Sequence, residues 1–351
     1  MQYGVIVYSD TMNLGDDIQS YANESFLPHT DYILEREGLD GFYTRDGKEV
    51  AVIMGGWYLY KHLNWPPSPF VRPLATSMHF DTYYSWTAGE RITKNFLFED
   101  YGGEWMRRYA PIGCRDYATK KLLERYNIPS YFSGCMTLTL TPFSKVEQHG
   151  KICLVDVSDD IASYVHSHAT AKCVVMTHTL ETKPITWEER KKIVEEQLLY
   201  YQGALLVITT RLHAALPCLA LGTPVLFIKE DWALNRTETW LKYLHYTTEE
   251  MLLSGAYTYD FNHPLKNKSL HWKLSLNLTR QCENFIQACE LTKETRHDVD
   301  MFLEERKQIE RVQKLMLMRV DKYERILKGE LLTGYESECR NSNIQSGKLS
   351  T

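Results

Sequence analysis

Arg211 and His213 are the residues of this chain whose types and spacing point most directly to chemistry. They follow an apolar, β-branched run at 205–208 and precede a helical pattern and a second apolar run at 225–228. This order predicts strand, turn, helix and strand of a parallel sheet. Because α/β folds bind ligands at the carboxyl ends of such strands, a cation and an imidazole there indicate an enzyme that handles an anion.

A matching loop follows the first predicted strand, at residues 4–9. Asn13, Gly15 and Asp16 lie in this loop, and Gln19 lies in the helix after it. Glycine permits a close backbone approach, and the carboxylate and amide can bond a hydroxyl group. For Asp16 the alternative interpretation is a helix cap.

Arg115 lies at the corresponding strand–helix junction later in the first half, and Asp116 can cap the helix that follows. An ion pair with a neighbouring carboxylate is the structural alternative for Arg115. Trp57 follows a predicted strand at 50–54 and His79 lies in ATSMHF. Both are candidates for binding a ligand, and for Trp57 packing in the core is the favoured alternative.

Strands and helices alternate along two successive segments, residues 1–145 and 150–285, which a polar break at 142–150 separates. Further strands are predicted at 130–140, 152–157 and 172–176, and Thr186 with Glu189 predicts a capping box. Pro217 lacks an N–H for the His213 carbonyl, which predicts a kink at His213 or a helix that begins only after it. The pattern predicts two Rossmann-like α/β domains that face a cleft.

A charged helical extension is predicted at 286–330, followed by a disordered tail at 331–351. Phe302, Ile309, Met316 and Tyr323 recur every seven residues, but Arg319 interrupts the seam. Two interpretations are open: the helix packs on its own protein, or it pairs with a second copy and forms a homo-oligomer.

Composition excludes several classes of protein. The 351 residues carry a formal net charge of −5, which lacks the basic footprint of a nucleic-acid binder. No apolar run approaches the ~18 residues of a membrane span, and the first residues do not resemble a signal peptide. The eight cysteines include no CxxC pair, so we expect reduced thiols in a cytoplasmic protein, with no metal and no cofactor.

Four segments together resemble the polysaccharide pyruvyl transferase family: NLGDDIQSYA at 13–22, VIMGGWY at 52–58, the stretch around Arg115-Asp116 at 111–140, and TTRLHAALPCLALGTPVLFI at 209–228. The resemblance covers roughly residues 1–265, in the order of the family. It implies a GT-B-like fold and the transfer of a pyruvyl group from phosphoenolpyruvate to sugar hydroxyls, forming a pyruvate ketal and releasing phosphate. The expected acceptor is a surface polysaccharide, such as a capsule or exopolysaccharide, or its lipid-linked precursor at the inner face of the membrane.

The resemblance also implies roles for these residues. Arg211 and Arg115 would hold phosphoenolpyruvate, since arginine grips carboxylate and phosphate through two hydrogen bonds. His213 would act as the acid or the base, and both roles remain open. The acceptor side would comprise Asn13, Gly15, Asp16, Gln19, Trp57, His79 and Arg236. Asn235-Arg236 stands where an acidic-Arg pair is common, which suggests a different acceptor.

Two other functions are compatible with the sequence. One is a GT-B glycosyltransferase that uses a nucleotide-sugar donor. The other is a non-catalytic scaffold whose charged helix is an interaction arm.

Overall fold

Parallel sheets form the framework of the molecule. The computed structural model describes residues 1–58, 65–80, 98–99, 101–183, 186–230 and 237–327. Its strands β1 to β13 are, in chain order, Gln2–Val7, Tyr32–Glu35, Val50–Ile53, Gly56–Tyr58, Val71–Leu74, Met78–Phe80, Ile112–Cys114, Ser130–Phe132, Ile152–Val155, Cys173–Met176, Leu206–Thr209, Val225–Lys229 and His245–Thr248. Its helices α1 to α9 are Leu14–Glu24, Tyr101–Arg108, Tyr117–Arg125, Asp159–His168, Trp187–Gln202, Leu212–Leu221, Glu249–Leu253, Trp272–Leu291 and Val299–Leu327.

The strands form three sheets in this part of the chain. Their orders are β2-β1-β3-β5, β4-β6-β7-β8 and β10-β9-β11-β12-β13, and every strand pair within them is parallel. All four residues of β9 and of β11 are buried, as expected for strands that helices cover on both faces. The predicted class, α/β with parallel sheets, is therefore confirmed.

Most helices that follow a strand start at a residue whose side chain caps the first turn. Asn13 accepts from the N–H of Gly15, and Asp116 accepts from the N–H of Thr119. The predicted capping box of Thr186 and Glu189 is present at the start of α5. These caps satisfy backbone N–H groups that have no partner inside the helix.

The first and second halves of the chain share a hydrophobic core. Ile18 of α1, Leu198 of α5, Leu221 of α6 and Leu278 of α8 are members of one buried cluster. Backbone bonds join the halves as well: the N–H of Leu14 donates to the His178 carbonyl at 2.8 Å. The start of α1 is therefore fixed against the third sheet.

A buried ion pair adds to this connection. Arg190 of α5 donates through Nη1 to both carboxylate oxygens of Asp17, at 3.1 and 2.9 Å. Its Nη2 donates to the carbonyl oxygens of Ser9 and Thr11. This arginine therefore holds α1 and the loop before it to the second half.

One predicted strand was wrong, and so was one of the two alternatives for the helix at His213. Residues 130–140 are not one strand: β8 ends at Phe132, and residues Met136–Thr139 form a 3₁₀ helix. Gly134 has φ +89°, a left-handed conformation that extended strand backbone does not adopt. Helix α6 begins at Leu212, ahead of His213, because the Arg211 carbonyl accepts from the N–H groups of Ala214 and Ala215 and closes the first turn. A helix that begins only after His213 is therefore wrong, and a kink at His213 stays a prediction.

The carboxyl-terminal helices pack partly on the first half. Helix α8 runs through the domain limit predicted at residue 285, and Gln281 on it accepts hydrogen bonds from Thr76 and Tyr131. Phe302, near the start of α9, packs on Phe70 with a centroid distance of 5.0 Å. The division into domains stays a prediction, and the predicted tail at 331–351 lies outside the described residues.

The apolar stripe of α9 continues beyond this contact. Ile309, Val312 and Met316 are 49%, 55% and 50% exposed. The start of the helix therefore lies on its own protein, and pairing with a second copy stays a prediction for the remainder.

None of the helices described is long and apolar enough to cross a membrane. The seven cysteines within the described ranges form no disulfide, and only Cys173 is not fully buried.

Candidate active site

Gln19, Arg115 and His213 meet at the carboxyl ends of strands from different sheets. Arg115 follows β7, His213 lies in the first turn of α6, and Gln19 lies in α1. Arg115 Nη1 donates to Gln19 Oε1 at 2.5 Å, and Gln19 Nε2 lies 3.5 Å from His213 Nδ1. The structure thus brings together three residues that the sequence placed at separate strand ends.

The orientation of the Gln19 amide is fixed by two partners. Arginine can only donate, so the atom that faces Arg115 must be the amide oxygen. The opposite atom lies 3.2 Å from the Gly15 carbonyl oxygen, which requires an N–H donor. The amide nitrogen therefore faces His213 Nδ1.

This orientation decides the tautomer of a neutral His213. A second donor at Nδ1 would oppose the amide N–H, whereas an unprotonated Nδ1 accepts from it. The contact with the Gln19 amide therefore favours the neutral imidazole that carries its proton on Nε2.

Gly15 allows this approach of α1 to α6. A Cβ atom at Gly15 would lie 3.0 Å from both Cβ and Nδ1 of His213, closer than most side-chain contacts. The Asn13 side chain caps the same turn by accepting from the N–H of Gly15 at 3.1 Å. Gly15 and Asn13 therefore position the histidine through the start of α1.

Asp16 does not cap α1, so the helix-cap interpretation was wrong. The cap is Asn13, whereas Asp16 Oδ2 accepts from Thr11 Oγ1 at 2.9 Å. Asp16 Oδ1 lies 3.8 Å from Nη1 of Arg36, a residue that follows β2. The Asp16 carboxylate thus bonds the loop before α1 and faces Arg36.

Arg115 is 1% exposed, and its charge is incompletely compensated. Within the described part of the chain, its Nε and Nη2 have no hydrogen-bond partner. The nearest carboxylate oxygen, Asp116 Oδ2, lies 4.0 Å from Nε, beyond hydrogen-bond distance. A buried guanidinium with two unsatisfied nitrogens is costly, which is typical of a residue that binds an anion.

Asp116 lies next to Arg115 and is held in place by His79. Asp116 Oδ2 lies 2.6 Å from His79 Nδ1, and Oδ1 accepts from the N–H of Thr119 at 2.8 Å. Burial alone would raise the pKa of Asp116, but His79, Arg115 and the Thr119 N–H lower it to about 2. Trp57 packs edge-on against His79 at 5.0 Å. His79 thus contacts the ionised Asp116, which follows Arg115 in sequence, and Trp57 packs on His79.

One side of the Arg211 guanidinium is bonded to Asp156. Its Nε donates to Asp156 Oδ2 at 2.8 Å, and its side chain is 42% exposed. Asp156 follows β9, has φ +51°, and also accepts from the N–H of His178 at 3.0 Å. Burial would raise the pKa of Asp156, but hydrogen bonds from Thr177, His178 and Arg211 lower it. A fixed carboxylate therefore orients the exposed arginine.

The amino terminus of α6 differs from those of α1, α3, α4 and α5. Arg211 occupies the cap position and makes no side-chain cap bond, whereas each of those helices has one. The first N–H groups of a helix and its dipole favour an anion. The side chain of Arg211 adds a positive charge at the same place.

Sequence reasoning missed Arg36, Asp156 and His178. Arg36 and Asp156 follow β2 and β9 directly, so their positions at strand ends were the available signal. His178 lies two residues after β10, as Arg211 lies two residues after β11, so its position after a strand was an available signal as well. Arg236 lies outside the described residues. No group of three metal-ligating side chains occurs among the residues with described positions.

Residues 13–231 match the sequence profile of the polysaccharide pyruvyl transferase family. The chain belongs to this family. The match includes Gln19, Arg115 and His213, whereas α8 and α9 lie outside it.

Neither curated proteins nor solved structures add to what membership of this family shows. No curated protein matches the chain. Among solved structures, an uncharacterized protein from Klebsiella pneumoniae is similar, with 16% sequence identity and a TM-score of 0.38 over 70% of this chain and 93% of that one.

Proposed function

We propose that this protein transfers a pyruvyl group from phosphoenolpyruvate to two hydroxyls of a sugar and releases phosphate. The acceptor would be a surface polysaccharide or its lipid-linked precursor. Membership of the family supports a transferase that acts on polysaccharides. The donor, the ketal product and the roles of individual residues are part of the proposal.

The observation that carries the proposal is the buried, incompletely paired Arg115 beside Gln19 and His213. Phosphoenolpyruvate carries a carboxylate and a phosphate, and either group can accept two N–H bonds from one guanidinium. In our proposal Arg115 binds one group through Nε and Nη2. Arg211 and the start of α6 bind the other.

His213 is proposed to supply the proton that starts the reaction. In its imidazolium form, His213 would transfer the Nε2 proton to the methylene carbon of phosphoenolpyruvate, which leaves a neutral ring and a cation-like carbon next to the carboxylate. A sugar hydroxyl oxygen then bonds to this carbon and passes its proton to the ring, which restores the imidazolium. The carbon–oxygen bond to phosphate breaks, a second hydroxyl oxygen replaces it, and the proton of that hydroxyl leaves with the phosphate, so that the net products are the ketal and phosphate.

The predicted architecture belongs to the same proposal. The first half, with Asn13, Gly15, Asp16 and Gln19, would present the acceptor, and the second half would hold the donor, in a GT-B-like arrangement. We propose that the enzyme works in the cytoplasm, at the inner face of the membrane when its acceptor is lipid-linked. Neither a nucleotide-sugar donor nor a scaffold role gains support from the family.

Thermal unfolding with added ligands tests the donor. Phosphoenolpyruvate should raise the melting temperature of the wild type, since ligand at about 100 times its Kd stabilises by about 2.7 kcal/mol. Arg115→Met should abolish the increase, and Arg45→Met, at an exposed position of the first half, should preserve it. Stabilisation by nucleotide sugars alone would refute the proposal.

A further inference from the structure

The second half of α9 extends away from the body of the protein. Up to Arg306 the helix is anchored, because Phe302 packs on the first half and Arg306 Nη1 lies 3.3 Å from Asp40 Oδ2. Beyond this point, fourteen of the sixteen residues from 307 to 322 are exposed. Exposed residues occur on every side of the helix there, so this part does not lie along its own protein.

The extended part carries a narrow apolar seam. Ile309, Val312 and Met316 are each about half exposed and follow one another at alternating intervals of three and four residues. This spacing places them on one face and is typical of a helix that pairs with another helix. Because an isolated helix is only marginally stable in water, a partner on this seam would stabilise α9.

Two charged residues continue the same seam. The spacing reaches Glu305 before Ile309 and Arg319 after Met316, and both charged residues are exposed. They lie two heptads apart and therefore occupy equivalent positions with opposite charge. A purely apolar partner would bury both charges without a counter-charge, which is costly. The partner of this seam must therefore offer charges of its own.

A second copy of α9 offers these charges when it runs in the antiparallel direction. In one register, Val312 faces Met316 of the partner subunit. At the next position Ile309 faces the partner's Arg319, and Glu305 lies about one helical turn beyond. An arginine in this place packs into the hole that contains the glutamate. Since a two-fold axis repeats every contact, both charges of each copy are paired.

The same residues disfavour a parallel pair. Parallel helices in register would place Glu305 against Glu305 of the partner subunit and Arg319 against the partner's Arg319. Like charges that face each other across an interface repel and select against that arrangement. The two seam charges thus specify the direction of pairing.

A lipid surface suits this helix less well. Helical spacing puts Arg311, Lys314 and Arg325 on the side of α9 opposite to Met316. With the seam on a membrane, these cations would point away from the anionic head groups. Helices that lie in the membrane interface instead use such cations to bind those head groups.

We infer that two copies of this protein associate through α9 as an antiparallel pair, in which Arg319 of each copy contacts Glu305 of the other. The association goes beyond the proposed function and requires neither its donor nor its acceptor. It gives the exposed seam an apolar partner and each seam charge a counter-charge.

Analytical ultracentrifugation of the full-length protein measures the association. The wild type should sediment as a dimer of 41.0 kDa chains at micromolar concentration and dissociate on dilution. Met316→Glu should raise the dissociation constant by about a hundredfold, because it buries an unpaired charge in each copy. Met318→Glu is the matched control, since Met318 is exposed on the opposite side of the helix. A monomeric wild type, or a dimer that Met316→Glu leaves intact, would overturn the inference.

Charge reversal tests the direction of pairing. Arg319→Glu should weaken the dimer by about tenfold, because it faces Glu305 of the partner subunit, and the double variant Glu305→Arg with Arg319→Glu should recover the wild-type affinity. In a parallel pair Arg319→Glu only exchanges one repulsive contact for another, so an unchanged affinity would refute the antiparallel arrangement. Circular dichroism shows whether each variant is folded. A monomeric protein that sediments with vesicles of phosphatidylglycerol would contradict the dimer and indicate a lipid surface instead.

Discussion

Replacing Gln19 with Glu should reverse the tautomer of His213. In the wild type the amide N–H faces Nδ1 at 3.5 Å and favours the proton on Nε2. A carboxylate at the same place accepts instead, which favours Nδ1–H. The Arg115 contact at 2.5 Å would be kept, because either side chain offers an oxygen there.

The size of the effect follows from these contacts. A long amide bond contributes at the lower end of the usual 0.5–1.5 kcal/mol, about 0.5 kcal/mol. A hydrogen bond to a carboxylate contributes about 1.5–3 kcal/mol in the opposite sense. Because 1.4 kcal/mol corresponds to about tenfold, the Nε2–H tautomer of the neutral ring should become roughly ten- to a hundredfold less populated than in the wild type. The Kd for phosphoenolpyruvate should increase as well, since the added carboxylate partly neutralises Arg115.

Nitrogen NMR of protein labelled in histidine measures the tautomer directly. His213 should give the Nε2–H pattern in the wild type and the Nδ1–H pattern in Gln19→Glu, and His213→Gln would assign the signal. Gln281→Glu is the matched control, because Gln281 also accepts through its oxygen but bonds Thr76 and Tyr131. An Nδ1–H pattern in the wild type would refute the argument from the Gln19 orientation.

Three further substitutions test the surroundings of the site. Gly15→Ala should lower kcat by about tenfold or more without lowering the melting temperature, because its Cβ displaces His213 while alanine favours the helix; unchanged turnover would contradict this. Burial lowers the pKa of His178 to about 4 from 6.5, so that wild-type stability is complete above pH 6.5 and decreases by about 3 kcal/mol as the pH falls to 4. His178→Gln should lack this part of the loss in urea unfolding at each pH, and identical pH profiles would refute it. Arg190→Met should destabilise by about 3–5 kcal/mol, because it leaves Asp17 buried without a partner; Arg190→Met with Asp17→Asn should recover part of this, and equal losses in the two would count against the ion pair.

Local signals predicted the elements of the fold well. Asp116 and Thr186 are caps that act within three residues, and the structure has both helices where the sequence placed them. Helix α1 begins earlier than predicted, because its cap is Asn13, so that Gly15 and Asp16 lie in its first turn and not in the preceding loop. The predicted strand at 130–140 failed because its apolar residues suit a buried 3₁₀ helix as well as a strand. The residue that separates the alternatives, Gly134, acts through its backbone conformation.

The candidate site was predicted as a set of residue types but not as an arrangement. Gln19 was expected to bind sugar, yet its side chain is buried and bonds Arg115, which lies 96 residues away in sequence. No periodicity or spacing reports such a contact, because it depends on how the sheets pack. Arg36 follows β2 directly, which was an available signal, but its contact with Asp16 could not be predicted because Asp16 comes from another element.

The free-energy cost of burying Arg115 explains why its neighbours are arranged as they are. Asp116 is ionised and 4.0 Å from Nε, close enough to lower the electrostatic cost but too far to bond this nitrogen. His79 and the Thr119 N–H hold Asp116 in that position by bonding its oxygens. Gln19, an uncharged acceptor, bonds Nη1 without neutralising the guanidinium. A second carboxylate in place of Gln19 would stabilise the fold and compete with an anionic substrate, so the amide preserves both the charge of Arg115 and the tautomer of His213.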